Sequence, residues 1–481
     1  MIEFTETNIQ RLFGHEAAED EDPVRLKEYY FKSSVYQRIV TDLPFRILVG
    51  HKGIGKSALL KMAIMEDAPN GIVPVLIKPN DITDLGVDTS DFLHTVRNWQ
   101  VGLFKIISEK VFAYFGIPHH LHKSPENFRG SILDFITDTL ININSTHYPT
   151  DKQDFILHFL EKPRITVYID DLDRGWQGHK NDVTRISALL NAVRDISNEN
   201  RNVFFRIALR SDVYYLVRTS DESTDKIEGS VVWHTWTNHE IFVLLIKRIE
   251  TFFGRSIDEN MLLQFRQYQL SDYLTPIMEA KFSGKGHWEN APTYRVLMSL
   301  IRKRPRDLIK ICTLAARHAY QRKSSLIQAE DFKAIFEEYS QGRIQDTSNE
   351  YRSELPDIER LVMNMRPNKK ERTTREGYIY RTDELLIKIG NIMEQGRFVF
   401  TNKNEADRKD LASFLYKINF ITARKEKPDG TIIRKYFEEN RYLSSQFVDF
   451  GFDWEVHPAY RWALQPVDIE DYFPKLSADD D

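Results

Sequence analysis

The chain has 481 residues, more than one hydrophobic core usually supports, so about two to four domains are expected. A formal net charge of −5 argues against coating nucleic acid through bulk charge and leaves a local basic face open. The single cysteine, Cys312, excludes an internal disulfide framework and CxxC metal sites; inside the apolar run DLIKICTLAARHA it reads as a buried small residue in a reducing compartment.

The N-terminal MIEFTETNIQRLF lacks a basic-then-apolar signal, and apolar runs such as IFVLLI at 241–246 are too short to cross a bilayer. A cytoplasmic protein without membrane association is expected. From about Leu26 to Val40 apolar and aromatic positions recur at helical spacing after an acidic stretch and Pro23, which predicts a helix leading into the first strand. Its aromatic part, Tyr29 to Tyr36, suits either a helix core face or the wall of an adenine site.

Residues 45–62, FRILVGHKGIGKSALLKM, run from a β-type strand into a pattern GxxxxGK[ST] and on into an apolar helix. Glycines let backbone N–H groups curl around phosphates, Lys56 neutralises charge on the β- and γ-phosphates, and Ser57 Oγ can ligate Mg²⁺. The helix N-terminus adds its dipole. The segment Gly50, His51, Lys52, Gly53, Ile54, Gly55, Lys56, Ser57 and Ala58 is therefore expected to hold a nucleoside triphosphate.

Further β-type runs follow at GIVPVLIKP (71–79), RITVYIDDLDR (164–174), NVFFRIALRSD (202–212) and SVVWHTW (230–236), with a long helical region at about 91–160. Strands alternating with helices predict a doubly wound α/β fold with a parallel P-loop sheet. The third run ends in adjacent carboxylates: Asp170 is expected to hold Mg²⁺ through water and Asp171 to orient or polarise the attacking water. Arg210, ending the fourth run, is a candidate γ-phosphate sensor, with an ion pair to Asp212 or another acid as the alternative. Pro118-His119-His120-Leu121-His122 looks like a metal tract but has no companion Cys or spaced acid, so a surface loop is expected.

From His239 to about Tyr339 the pattern is helical throughout. Arg304-Pro305-Arg306-Asp307 opens one of these helices with Pro305 in its first turn, and Arg306 is either a second nucleotide sensor or part of a solvated basic N-terminus. SQGRIQDTSNEYRSELPD then reads as a polar connector. Helices are expected near 354–364, 381–395 and 405–417, before β-type runs at 420–425 and 431–437 joined by the turn Glu-Lys-Pro-Asp-Gly. That is the outline of a winged helix. The expected division is a P-loop domain over 1–238, a helical lid over 239–345 and a winged-helix domain over 346–481. Arg366, Lys369, Lys370, Arg372, Arg375, Lys403, Arg408, Lys409, Arg424, Lys425, Lys427, Arg434 and Lys435 offer a basic face diluted by neighbouring acids; duplex DNA contact and a protein-binding or structural role both stay open.

Together GHKGIGKS, IDDLDRGW, LRSDV, RPRDLI and the trailing winged-helix outline resemble bacterial P-loop ATPases related to the KAP and STAND classes, with DDLDR particularly similar to the KAP carboxylate motif. The chain departs from KAP proteins in lacking membrane segments and from STAND proteins in lacking visible repeats. The resemblance implies an additional-strand P-loop fold and a Mg²⁺-dependent ATP switch whose nucleotide state moves the helical and winged-helix domains. It implies a homo-oligomer with an arginine supplied in trans, Arg174 or Arg218 being candidates. It also implies a bacterial antiviral defence setting with a separate effector protein; a DNA-binding initiator or transposition-type ATPase using the winged helix on duplex DNA, and a non-hydrolysing nucleotide-bound scaffold, stay open as alternatives. A late histidine can touch nucleotide in STAND proteins; His457 is a candidate by position, with an ordinary packed histidine as the alternative.

Overall fold

The computed structural model describes residues 2–15, 20–121, 131–143, 148–220, 222–283, 288–368, 371, 377–428, 432–440, 443 and 451–465. Within this range the chain divides into two compact units, one of residues 32–52 and 56–234, the other of residues 1–31, 53–55 and 235–481. His122, Lys369, Lys370, Arg372 and Arg375, singled out above, lie outside the described residues.

The first unit is built on five parallel strands: β1 (Phe45–Gly50), β2 (Val73–Ile77), β3 (Ile165–Ile169), β4 (Val203–Arg210) and β5 (Val231–Trp233). Their order across the sheet is β2-β3-β4-β1-β5. β3 is buried at every residue and β4 at all but its last, as a sheet covered by helices on both faces requires. Ile47, Val49, Val75, Ile77, Val167, Phe205 and Ile207 form its core with the helices Phe92–Phe115 and Lys180–Glu199. Among the described residues, the region expected to be helical at 91–160 contains the α-helices Phe92–Phe115, Ile132–Asn142 and Gln153–Glu161. The first ends where Gly116 takes the left-handed conformation (φ +71°).

The second unit is helical around a core that includes Ile241, Leu245, Leu308 and Ile311, with Phe242 stacked on Tyr294 at 5.2 Å. Cys312 is fully buried there, and burial pushes its thiol well above the ordinary range, which matches the inert reading. A two-stranded pair, β6 (Lys281–Phe282) and β7 (Ala291–Pro292), precedes the helices Thr293–Leu300 and Pro305–Gln321. The C-terminal part carries an antiparallel sheet of β8 (Ile379–Tyr380), β9 (Ile421–Glu426), β10 (Ile432–Lys435) and β11 (Asp453–Val456), in the order β10-β9-β11-β8. The helices Ile358–Met363, Thr382–Met393 and Arg408–Lys417 accompany it.

Three local expectations are corrected. The stretch from Leu26 to Val40 is two short helices, Pro23–Tyr29 and Ser34–Ile39, because Tyr30 turns to extended backbone (ψ 130°) and Ser33 caps a new helix by accepting from the Tyr36 N–H. The run at 230–236 forms a strand over only three residues; Trp236 instead donates its indole N–H to the Ile54 carbonyl at 2.8 Å. The polar connector continues as helix, since Ala329–Tyr351 is one element whose polar residues Arg343, Thr347 and Glu350 are buried. Their charges and hydroxyl are satisfied by Asp307, Arg302 and Arg304, so polarity here marks an ion-pair network and not a linker.

Candidate nucleotide site

The sheet register brings the sequence-predicted residues together. Gly50, the last residue of β1, lies opposite Arg210, the last of β4, and β4 in turn pairs with β3, which leads into Asp170 and Asp171. Ligands of open parallel sheets bind outside these carboxyl ends. With β4 between the P-loop strand and the carboxylate strand, the order is that of an additional-strand P-loop fold.

Beyond β1 the loop turns through Gly53 (φ +80°) and Gly55 (φ +104°), conformations that L side chains rarely adopt, and the helix Lys56–Asp67 follows at once. Lys56 Nζ donates to the carbonyl oxygens of Gly50 (2.9 Å) and His51 (3.1 Å), so the ammonium is folded over the loop. His51 is buried, and its Nδ1 is paired with Ser211 Oγ at 3.0 Å, tying the loop to the end of β4. Lys52 is exposed.

Burial, and after it the neighbouring charge of Asp171, raises the Asp170 carboxyl above its ordinary value against the opposing pull of Ser57 and Lys56. The Asp171 N–H donates to Asp170 Oδ1 at 2.9 Å, while Asp171 itself is exposed and held at φ +58°. A left-handed non-glycine residue of this kind costs about 1–3 kcal/mol and is concentrated at functional sites. The Ser57 hydroxyl and the Asp170 carboxylate, both hard oxygen donors, fit the requirements of a hydrated Mg²⁺. Lys56 and two left-handed glycines fit a polyphosphate.

Arg210 is not solvated. Its Nε and Nη2 donate to Asp212 (3.0 and 2.6 Å) and its Nη1 to Asp173 (3.2 Å), so in this state the ion-pair alternative holds. Asp212 was the ion-pair partner expected from the sequence, whereas Asp173 and Ser211 escaped it; the signal was available in the third acid of IDDLDR and in the Ser that follows Arg210. His234, next to β5, was also missed. Burial, with Lys56 adding to it, lowers His234 to about 3, which keeps a second positive charge away from the loop at neutral pH.

In the helical unit, Pro305 occupies the first turn of the helix Pro305–Gln321 and Arg306 follows it, half-buried. The Arg306 stem lies against Gly53: a Cβ built on that glycine would fall 3.1 Å from Arg306 Cδ. Other candidates are placed elsewhere. Tyr29 is buried and donates to Glu21 at 2.6 Å, and Tyr36 is buried and paired with Glu66, so both serve as packed core. His457 is fully buried; its Nδ1 accepts from the Ala459 N–H (3.1 Å) and its Nε2 meets Tyr436 OH (2.9 Å), the packed-histidine alternative. Arg218 is paired with Asp225 and Glu228, whereas Arg174 is exposed. His119 and His120 lie in a short turn, and no group of three or more metal-ligating side chains occurs among the described residues. Arg424 and Arg434 are buried around Glu455 and so are subtracted from the basic face; Lys403, Arg408, Lys409, Lys425 and Lys427 remain exposed. No helix among the described residues is long and apolar enough to cross a membrane.

Fold and site thus define an additional-strand P-loop protein with an associated helical unit. A family model described as the FunZ-associated C-terminal helical domain matches residues 240–348, the stretch that carries Arg306. The chain is 20% identical to the 80.3 kDa protein attributed to transposon gamma-delta in Escherichia coli (strain K12), over 98% of this chain and 70% of that protein. Among solved structures it is similar to the Walker-type ATPase PABY2304 of Pyrococcus abyssi (13% identity, TM-score 0.43, 91% of this chain and 96% of that one). It is also similar to the ORC2 protein of Aeropyrum pernix (11% identity, TM-score 0.41, 89% and 87%).

Proposed function

We propose that the chain binds ATP with Mg²⁺ at the Gly50–Ser57 loop and hydrolyses it, using the nucleotide state as a switch. The observation that carries this reading is the placement of the Gly50 and Asp170 strand ends on either side of β4, with Lys56 folded over the left-handed loop. Bound Mg²⁺ would supply charge neutralisation between phosphate oxygens. Ser57 and Asp170 would hold it, Lys56 would exchange the Gly50 and His51 carbonyls for phosphate oxygens, and the loop N–H groups from Lys52 to Ala58 would bind the remaining charge. Asp171 orients and polarises the attacking water, a role supported by its exposed side chain and left-handed backbone. Arg210 senses the γ-phosphate by exchanging one of its two acid partners for it, and Arg306 is the second sensor.

Equilibrium binding of a fluorescent ATP analogue with and without Mg²⁺ tests the assignment. Lys56→Ala should weaken binding at least about tenfold, the equivalent of about 1.4 kcal/mol. Asp170→Asn should remove the stimulation by Mg²⁺; wild-type binding by both variants would overturn the site.

The output we propose is movement of the helical lid and of a winged-helix domain, supported in the latter by three helices with a short antiparallel sheet at 358–456. Its setting in a bacterial antiviral defence system with a separate effector rests on the motif resemblance alone. A homo-oligomer that completes the site with Arg174 in trans accords with the exposure of that residue, and mass measurement with and without a nonhydrolysable ATP analogue tests it. A second reading, a transposition-type ATPase that contacts duplex DNA, is favoured by the transposon attribution of the 20% identical relative. Salt-dependent duplex binding that weakens when Lys425 and Lys427 are neutralised would support it, and no binding at low salt would reject it.

A further inference from the structure

The turn that precedes Arg306 is held from several sides by side chains far away in sequence. Asp307 is 1% exposed and accepts from Arg302 Nε (2.7 Å), Nη2 (2.9 Å) and the Arg302 N–H (3.2 Å), and from Arg343 Nη1 (2.6 Å). Burial by itself would raise this carboxyl, but Arg302 and Arg343 outweigh it and hold it well below the usual carboxylate range. The remaining Arg302 nitrogen, Nη1, donates to Tyr460 OH (2.8 Å) and Thr347 Oγ1 (2.9 Å), and those two hydroxyls are themselves 3.0 Å apart.

Lys303 is at φ +51°, a strained conformation for a non-glycine residue. Its ammonium pairs with Glu439 and sits 5.0 Å from the Tyr436 ring centroid, and Tyr436 in turn contacts His457. Arg304 pairs with Glu350 at 3.2 Å. Every residue of the turn from Arg302 to Arg304 is therefore bonded to the long helix Ala329–Tyr351 or to the segment from Tyr436 to Tyr460.

A buried network of this kind resists piecemeal change, because removing one member strands the charges that remain. Arg306 stands next to Asp307 in the chain, with its stem against Gly53. We infer that Asp307 and Tyr460 are positioning residues: Asp307 sets the start of the Arg306 helix, and Tyr460, through Arg302, carries a shift of that start into residues 451–465. This rests on the nucleotide reading proposed above, in which Arg306 senses phosphate charge. Such a shift has a defined route, since the hydroxyls of Tyr460 and Thr347 share one guanidinium nitrogen of Arg302.

The test uses the full chain. Binding of a nonhydrolysable ATP analogue with Mg²⁺ is measured by calorimetry, and backbone hydrogen exchange at 451–465 is followed with and without the analogue. Tyr460→Phe keeps the ring and removes the hydroxyl; Thr347→Val removes the other hydroxyl at nearly constant volume. In the wild-type chain the analogue should change exchange at 451–465 by about fivefold or more, a typical coupling. Both variants should still bind the analogue and lose most of that change, which a purely structural role would not produce. Binding without any change at 451–465, or a full change in both variants, overturns the coupling while leaving the nucleotide site intact. Absence of binding by the wild-type chain overturns the nucleotide reading and the coupling with it.

Discussion

Replacing Glu455 by glutamine removes a carboxylate on which three buried arginines converge. Glu455 accepts from Arg434 Nε at 2.8 Å, pairs with Arg461, and lies 3.9 Å from Arg424 Nε. All four side chains are 8% exposed or less. Burial would raise the Glu455 carboxyl, but Arg434 and then Arg461 outweigh it and hold it at about 2. Against an ordinary value of about 4.3, a depression of roughly two units is worth about 3 kcal/mol of stability above pH 5. The same figure follows from the about 3–5 kcal/mol lost when one partner of a buried ion pair is removed. Because the folded value is depressed, this stability is present above the unfolded value and is lost as the pH falls towards 2. Urea unfolding of wild type and Glu455→Gln at pH 7 should therefore differ by about 3 kcal/mol, and the gap should shrink by roughly half at pH 3. A gap under about 1 kcal/mol at pH 7, or one that does not change with pH, would show that the three arginines do not stabilise the Glu455 carboxylate.

Two further substitutions probe the sheet and the loop. Asp67 closes the P-loop helix, and burial raises its carboxyl to about 6 although Tyr168 and Thr166 hydrogen-bond to it. A raised folded value stabilises below the unfolded value and is lost as the pH rises through about 6, so Asp67→Asn should gain up to about 3 kcal/mol relative to wild type between pH 4 and pH 7 by urea unfolding. A constant difference would show that the carboxyl titrates normally. At Gly53, with φ +80° and Arg306 Cδ 3.1 Å from a built Cβ, Gly53→Ala should impose about 1 kcal/mol of strain and weaken ATP-analogue binding about fivefold by calorimetry. Unchanged affinity would show that the loop does not need this conformation.

What could be read directly from the sequence was local. The glycine spacing of the P-loop and the run of β-type residues before Asp170 each lie within one short segment, and both fall where expected in the sheet. The strands β1, β3 and β4 follow from burial on both faces, which leaves nearly continuous apolar runs. What escaped depends on partners distant in the chain. Arg343 and Thr347 look like linker residues until Asp307 and Arg302 are brought against them. Arg424 and Arg434 count as surface charge until Glu455, on a strand missed in the sequence, is placed between them. Arg210 shows the same limit at the candidate site: a sensor and an ion pair use the same residue type, and the Asp173 contact lies 37 positions away. Two-residue strands such as β8 are too short to leave a periodic signal at all.

In the proposed hydrolysis, Asp171 acts on the attacking water and not on nucleotide affinity. Steady-state phosphate release from Mg-ATP, measured beside binding of the nonhydrolysable analogue, separates the two. Wild type should release phosphate, and Asp171→Asn should bind the analogue within about threefold of wild type while release falls by at least about a hundredfold, as expected for loss of general-base assistance. Release that survives Asp171→Asn at the wild-type rate would contradict the hydrolysis site proposed for this chain.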